Sequence, residues 1–284
     1  MAERSFGPVV VRRRLGSELR RLRGAAGMSL EQAARELEVS PSKLSRLENG
    51  ESPPKLWDVR NLLTLYGVED EDYRRRAERW VNEGKAAGWW HPYSDATPAD
   101  LDHYISLEAE AAEVRAYCSV FLNGLMQTRE YAHALLEATL SDVAPAAIDG
   151  LVDVRMRRQE IFFDEDRSAQ LRVVLDEAAL RRRVGEELTM VAQWKRIVEL
   201  SRTINVRVRT LYAAPHLALY GPFTLFVPRE QDVDPIVVNL ESGFHDAYWY
   251  DPAEVRRFVR SFDELEASSL STGDSADYIR SLYH

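Results

Sequence analysis

Cysteine is almost absent from this sequence, since Cys118 is the single one among 284 residues. One thiol excludes an intramolecular disulfide and any metal site built from several cysteines. We interpret Cys118 as a small buried hydrophobic residue rather than as a nucleophile. The chain also lacks an apolar run near the ~18 residues that a membrane span needs, and residues 1–11 lack the apolar segment of a signal peptide. We therefore expect a cytoplasmic protein that does not enter membranes.

Signatures of catalysis and of cofactor binding are missing as well. The six histidines include no pair at metal-ligand spacing on one helix, and there is no Gly-x-Ser-x-Gly segment or phosphate-binding glycine loop. We therefore expect neither an enzyme nor a bound metal or cofactor. The polar group His245, Asp246 and Asp251 could line a ligand pocket, but a turn before a helix beginning at Pro252 is the favoured interpretation.

The charge of the chain is unevenly distributed. The net charge is −9, yet residues 1–66 carry 12 Lys and Arg against 8 Asp and Glu, a net charge of +4. Residues 67–284 carry 25 against 38, a net charge of −13. A basic N-terminal segment followed by an acidic remainder is typical of a small DNA-binding domain joined to a domain that does not itself bind DNA.

The first 66 residues show the periodicity and the end signals of short helices. Leucines recur at three- and four-residue spacing over residues 12–23, and Ser29 and Ser40 stand where N-caps are expected, with Gln32 completing a possible capping box. Gly67 closes a fourth helix that begins near Leu56. The predicted helices cover residues 12–23, 29–37, 40–48 and 56–66.

The helix after Ser40 has one polar face without an acidic residue. Leu44 and Leu47 point inward, which leaves Ser42, Ser45 and Arg46, with Lys43, to face outward. These side chains all donate hydrogen bonds, and the edges of the DNA major groove are rich in acceptors. The pattern therefore predicts a helix-turn-helix that binds double-stranded DNA, whereas a plain helical bundle is the less favoured interpretation.

Residues 27–34 and 39–50 resemble the Cro/repressor-type, or xenobiotic-response-element, helix-turn-helix family. The resemblance covers residues 12–66 and departs from the family at Glu38, where a glycine in a left-handed turn is usual. It implies that Ser42 and Arg46 contact bases, although Arg46 could instead bind a phosphate. It also implies phosphate contacts at the positions that follow, Ser29, Lys43 and Asn49. Finally, it implies a structural salt bridge between Arg23 and Glu48.

The rest of the chain predicts an α+β domain. Helices are expected over residues 101–115, 128–140, 145–163, 188–201 and 252–267, and strands over 171–175, 206–209, 223–227 and 236–238. The strict alternation of residues 206–209 is typical of a strand with one solvent-exposed face. The predicted fold is thus an all-α helix-turn-helix bundle followed by an α+β domain with a modest, mostly antiparallel sheet.

The expected domain order has three parts. Residues 1–70 form the DNA-binding domain, residues 71–100 a connector helix and an aromatic junction at residues 88–93, and residues 101–284 a regulatory domain.

Several segments of the second part resemble the C-terminal domain of actinobacterial WhiJ-like regulators, also described as Scr1-type antitoxin-like regulators. They are residues 88–90, 107–111, 124–132, 155–159, 175–181 and 221–224. The resemblance implies a developmental regulator whose second domain binds a small partner protein similar to BldB.

Three functions are weighed on these patterns. The favoured one is a homodimeric, nucleoid-associated transcriptional regulator, most simply a repressor, whose C-terminal domain binds a protein partner. The alternative is a regulator whose second domain senses a small molecule, and an enzyme with a DNA-binding head is the least favoured. The arginines at 155, 157, 158 and 181–183 could hold an anion or an acidic partner, although solvated helix faces explain them as well.

Overall fold

The computed structural model describes residues 8–50, 52–85, 101–140, 143–216, 221–229, 235–241 and 246–283. The described residues form two compact units. One comprises the residues up to 85 together with Leu101–Glu110, and the other comprises the residues from Ala111 onward. The predicted aromatic junction at residues 88–93 and His245 lie outside the described residues.

The first unit is a bundle of helices. They are α1 (Pro8–Ala25), α2 (Leu30–Glu36), α3 (Pro41–Glu48), α4 (Leu56–Leu65), α5 (Glu71–Glu83) and α6 (Leu101–Glu110). Their ends follow local sequence signals: Ser29 forms a reciprocal capping box with Gln32, Ser40 caps α3, and Gly67 follows α4 with a φ of 71°.

One hydrophobic core holds the first five helices together. Leu15 and Leu19 of α1 are buried against Ala33 and Ala34 of α2 and against Leu44 of α3. The helix that was expected to be a connector, α5, contributes Ala77, Trp80 and Val81 to the same cluster. It is therefore part of the bundle, while the predicted domain boundaries themselves stay predictions.

The second unit combines helices with one sheet. Its elements are β1 (Ala111–Cys118), a 3₁₀ turn (Gly124–Met126), α7 (Arg129–Thr139), α8 (Pro145–Phe162), β2 (Gln170–Asp176), α9 (Glu177–Arg181), α10 (Glu187–Leu200), β3 (Asn205–Arg209), β4 (Phe223–Pro228), β5 (Val237–Leu240), β6 (Ala247–Trp249), α11 (Pro252–Ala267) and α12 (Thr272–Arg280).

The sheet has the strand order β3-β2-β1-β4-β5-β6. The β1–β2 and β2–β3 pairs are parallel, with Val114 opposite Leu171 and Val173 opposite Val206. The remaining three pairs, β1–β4, β4–β5 and β5–β6, are antiparallel. This architecture confirms the predicted fold class. Because β1, β2 and β3 are parallel, their carboxyl ends lie side by side at the same end of the strands.

One face of the sheet packs on α11. Tyr117, Phe223 and Val238 of the sheet form a buried cluster with Phe262 and Leu265 of α11. The rings of Tyr117 and Phe223 lie 6.0 Å apart between centroids. Burial of these large side chains is the main source of stability for this layer.

Two features of the second unit correct the sequence predictions. The helix predicted over residues 101–115 ends at Glu110, because residues 111–118 pair with β2 on one side and β4 on the other. These pairings override the helix propensity of an Ala- and Glu-rich segment. The alternation of residues 206–209 does not mark one wet face, since Arg209 is buried and donates hydrogen bonds to Ser268 Oγ and to the carbonyl of Ala214.

Within the described residues, no helix is long and apolar enough to cross a membrane.

Candidate nucleic-acid interface

The turn between α2 and α3 is built around a residue in the left-handed region. Glu38 has a φ of 54° at the position where the sequence departs from the usual glycine. The amide of Val39 donates to the carbonyl of Ala34 at 2.9 Å, which closes the turn. Ala34 itself is buried, so a small residue lies where the two helices approach each other. A non-glycine residue at this φ costs about 1–2 kcal/mol, and the turn forms despite it.

Helix α3 is fixed at its beginning and along its inner face. The Ser40 hydroxyl accepts a hydrogen bond from the Lys43 amide at 3.2 Å, and Pro41 occupies the first helical position. Leu44 and Leu47 are buried in the bundle core. The opposite face is therefore held in one orientation toward solvent.

Ser42 and Arg46 lie on that exposed face, four residues apart and hence on the same side of α3. Within the described part of the chain, neither side chain has a hydrogen bond or an ion pair. A serine hydroxyl and an unpaired guanidinium on one helix face are suited to the acceptor-rich edges of guanine in the major groove.

A close crossing of two backbones sets the position of α3 on α1. A Cβ added at Gly16 would lie 2.4 Å from the carbonyl oxygen of Glu48 and 2.7 Å from that of Leu47. A Cβ at Gly50 would lie 2.7 Å from the amide nitrogen of Arg13. The last turn of α3 and the residue just after it thus pack directly against α1.

Arg23 and Glu48 form the ion pair that the resemblance implied. Arg23 Nε lies 2.8 Å from Glu48 Oε1 and Arg23 Nη2 lies 2.9 Å from Oε2, while Nη1 donates to the carbonyl of Met28 at 3.0 Å. The Glu48 side chain is 1% exposed, and its hydrogen bonds raise the pKa of Arg23. This bidentate pair joins the end of α1 to the end of α3 in a partly desolvated site.

The other predicted DNA contacts already have protein partners. Lys43 Nζ lies 2.9 Å from Oδ2 of Asp58, a buried carboxylate in the first turn of α4. Asn49 accepts a hydrogen bond from Arg20, and the Ser29 hydroxyl accepts one from the Gln32 amide at 3.2 Å. The Lys43 ammonium has further N–H groups to donate, so it can bind a phosphate while keeping its partner, whereas the phosphate contacts of Ser29 and Asn49 stay predictions.

Sequence reasoning missed two residues that shape this interface, Gly16 and Asp58. A glycine inside a helical pattern indicates close packing, so the sequence could have predicted a close helix contact at Gly16. Asp58 carried no such signal, because its role depends on how α4 packs beside α3.

The polar groups of the second unit have local explanations. Asp251 caps α11 by accepting the amides of Ala253 and Glu254 at 2.9 and 3.0 Å, as expected for a turn before a helix. Arg155 Nη1 donates to Gln127 Oε1 at 2.6 Å and Arg157 pairs with a glutamate of its own helix. Arg158 is buried, and so is Cys118, whose pKa is raised by burial.

Comparison with known families matches two separate parts of the chain. A helix-turn-helix domain matches residues 14–77, so the chain is a DNA-binding regulator of the helix-turn-helix class. Residues 101–281, more than half of the chain, match the family described as Domain of unknown function (DUF5753), and the chain belongs to that family. No curated protein and no solved structure matches the chain.

Proposed function

We propose that this regulator is a sequence-specific repressor that binds its operator as a homodimer. We also propose that a small protein partner binds its C-terminal domain and changes its affinity for DNA. The observation that carries the DNA-reading part is the pair Ser42 and Arg46, exposed and unpaired on a helix whose inner face is locked. Arg46 is assigned to a guanine, a contact that contributes about 1–3 kcal/mol of discrimination.

The proposal of a dimer is based on how few base pairs one copy of α3 can contact. A single helix of this kind contacts only a few base pairs, whereas a two-fold dimer sets two such helices about 34 Å apart on one face of the duplex. The second unit or α5 is assigned to the dimer contact. A dimer covering its operator excludes other proteins from that DNA, which is the proposed basis of repression in the nucleoid.

The second unit is assigned a regulatory role without a reaction. Its resemblance to WhiJ-like, Scr1-type regulators supports a BldB-like partner. Burial raises the pKa of the Cys118 thiol, which argues against this residue as a nucleophile. A partner changes DNA affinity only if it binds the DNA-competent and incompetent forms unequally.

The test compares R46A with R79A in the full-length chain. Arg79 is an exposed arginine of α5, so the two variants lose the same charge from the same unit. We expect R46A to weaken binding to the preferred duplex about 5- to 150-fold and to leave random duplex binding almost unchanged. R79A should change neither.

Equal losses on both duplexes would make Arg46 a phosphate contact. Failure of the wild-type chain to bind any duplex would overturn the proposed function.

A further inference from the structure

One surface at the carboxyl ends of the parallel strands combines exposed apolar side chains with arginines that have no carboxylate partner among the described residues. It lies where the parallel strands β1, β2 and β3 end, and its residues follow those three strands in the chain. We call it the strand-end surface and define it by Val120, Arg182, Arg183, Leu211 and Tyr212.

Hydrogen bonds connect the two ends of this surface. Arg182 Nε donates to the carbonyl of Val120 at 3.2 Å. The adjacent Arg181 Nε donates to Glu177 Oε1 at 2.7 Å, and the other oxygen of Glu177 accepts the amide of Leu211 at 3.0 Å. These contacts link Val120, after β1, to Leu211, after β3, through residues 177–182.

The apolar part is exposed and held in place. Tyr212 is 96% exposed and Leu211 is 62% exposed. Their turn is fixed by the hydrogen bond from the Leu211 amide to Glu177 and by one from the Ala213 amide to the carbonyl of Thr210 at 3.1 Å. Large apolar side chains on a preorganised turn lose little conformational entropy on binding and are typical anchors of protein interfaces.

The charged part stands out against its surroundings. Many arginines of the second unit are paired with carboxylates, including Arg115, Arg129 and Arg172. Arg182 and Arg183 are exposed and have no carboxylate partner among the described residues. Their Nε atoms donate to the carbonyls of Val120 and Gly185, and the Arg182 guanidinium also lies 5.9 Å from the centroid of the Phe121 ring. They form a local positive site on a part of the chain whose residues 67–284 carry a net charge of −13.

We propose that the strand-end surface binds an acidic protein segment, with its carboxylates on Arg182 and Arg183 and its apolar side chains on Leu211 and Tyr212. The proposal rests on the proposed function, because it gives the regulatory partner a place to dock. Each guanidinium still has N–H groups at its Nη atoms, which bind carboxylates through directional hydrogen bonds. DNA is the disfavoured occupant, because a duplex would extend beyond the two arginines over the acidic surroundings, whereas a short acidic segment ends at them.

The first experiment places a photo-crosslinking benzoylphenylalanine at position 212 of the full-length chain in the cells that make it. The expected product is a crosslink to an acidic protein, identified by mass spectrometry and then purified. The same group at position 249 is the matched control, because Trp249 is an exposed aromatic residue on β6, the edge strand farthest from β3 in the sheet.

The second experiment titrates the purified partner against charge variants. R182E/R183E should weaken its binding at least tenfold, and Y212S should do so by a similar factor. R256E/R260E reverses the same two charges on exposed residues of α11 and should leave binding within twofold. A conserved circular dichroism spectrum and melting profile in each variant ensures that lost binding reports the surface and not the fold.

Three outcomes would overturn this assignment. They are a position-212 crosslink to DNA or to a second copy of the chain, no crosslink beyond that of position 249, and equal weakening by both double variants. If a partner still alters operator binding when R182E/R183E is used, the proposed function stands and the strand-end surface is wrong. If no partner alters operator binding by the wild-type chain, the regulatory part of the proposed function fails instead.

Discussion

Gly16 offers the sharpest test of how α3 is held against the rest of the bundle. In G16A the new methyl group would lie 2.4 Å from the Glu48 carbonyl oxygen, whereas ordinary van der Waals contact begins near 3.4 Å. The clashing atoms belong to the backbone, so no side chain can rotate away. The last turn of α3 therefore has to shift by about 1 Å or α1 has to bend.

The magnitude follows from two opposing effects. Alanine favours an interior helix position over glycine by about 1 kcal/mol, while overpacking of a well-packed site costs about 1–3 kcal/mol and sometimes more. With two carbonyl oxygens obstructed, we expect a net loss of about 2 kcal/mol for G16A. Gly24, also in α1, has nothing within 4 Å of an added Cβ, so G24A should gain about 0.5–1 kcal/mol.

Hydrogen exchange of the full-length chain, followed by mass spectrometry, measures both variants in the helices concerned. A loss of about 2 kcal/mol makes the slowest amides of α1 and α3 exchange about 30-fold faster. The G24A variant should slow the same amides. If G16A is as well protected as wild type, or changes in step with G24A, the described crossing of α1 and α3 is wrong.

Further substitutions test the turn, a partly buried histidine and the ion pair in the same unit. E38G should stabilise it by about 1 kcal/mol because glycine accepts positive φ, whereas E36G, which removes the same charge inside α2, should destabilise it by a similar amount in denaturant titrations. Burial and two nearby arginines lower the pKa of His103 to about 3 from the ordinary 6.5. Between these two pH values His103 is protonated in the unfolded chain but neutral in the folded chain. The free energy of unfolding therefore falls as the pH drops from 6.5 toward 3. H103Q should flatten that fall in pH-dependent unfolding, and a pH profile identical to that of wild type would contradict the described environment of His103. E48A should cost about 3 kcal/mol by leaving a desolvated guanidinium unpaired, and an unfolding midpoint unchanged from wild type would contradict the described pair.

The helix-turn-helix was predictable because its signals are local. The caps at Ser29 and Ser40 and the glycine after α4 act within one turn of chain, and the structure has each of them where the pattern placed it. The leucine spacing likewise gave the inward face of α3 and left Ser42 and Arg46 outside. The partner of Lys43 was not predictable, because Asp58 meets it only through the packing of α4.

The second unit shows where local patterns fail. Residues 111–115 read as a continuation of a helix, yet they form the start of β1, a central strand with neighbours on both sides. The short elements β6, α9 and α12 were not predicted, since three to nine residues carry too little periodicity. The order of the strands could not be predicted from local patterns, because it is set by contacts between residues distant in sequence.

The central claim is that α3 reads bases through Arg46. Selection from a pool of random duplexes by the full-length chain, followed by sequencing of the bound DNA, tests it most directly. We predict a motif with two inverted half-sites about one helical turn apart, and we predict that R46A erases the preference at one base pair of each half-site while the rest of the motif survives. A wild-type selection without any motif, or an R46A motif identical to that of wild type, would contradict the account.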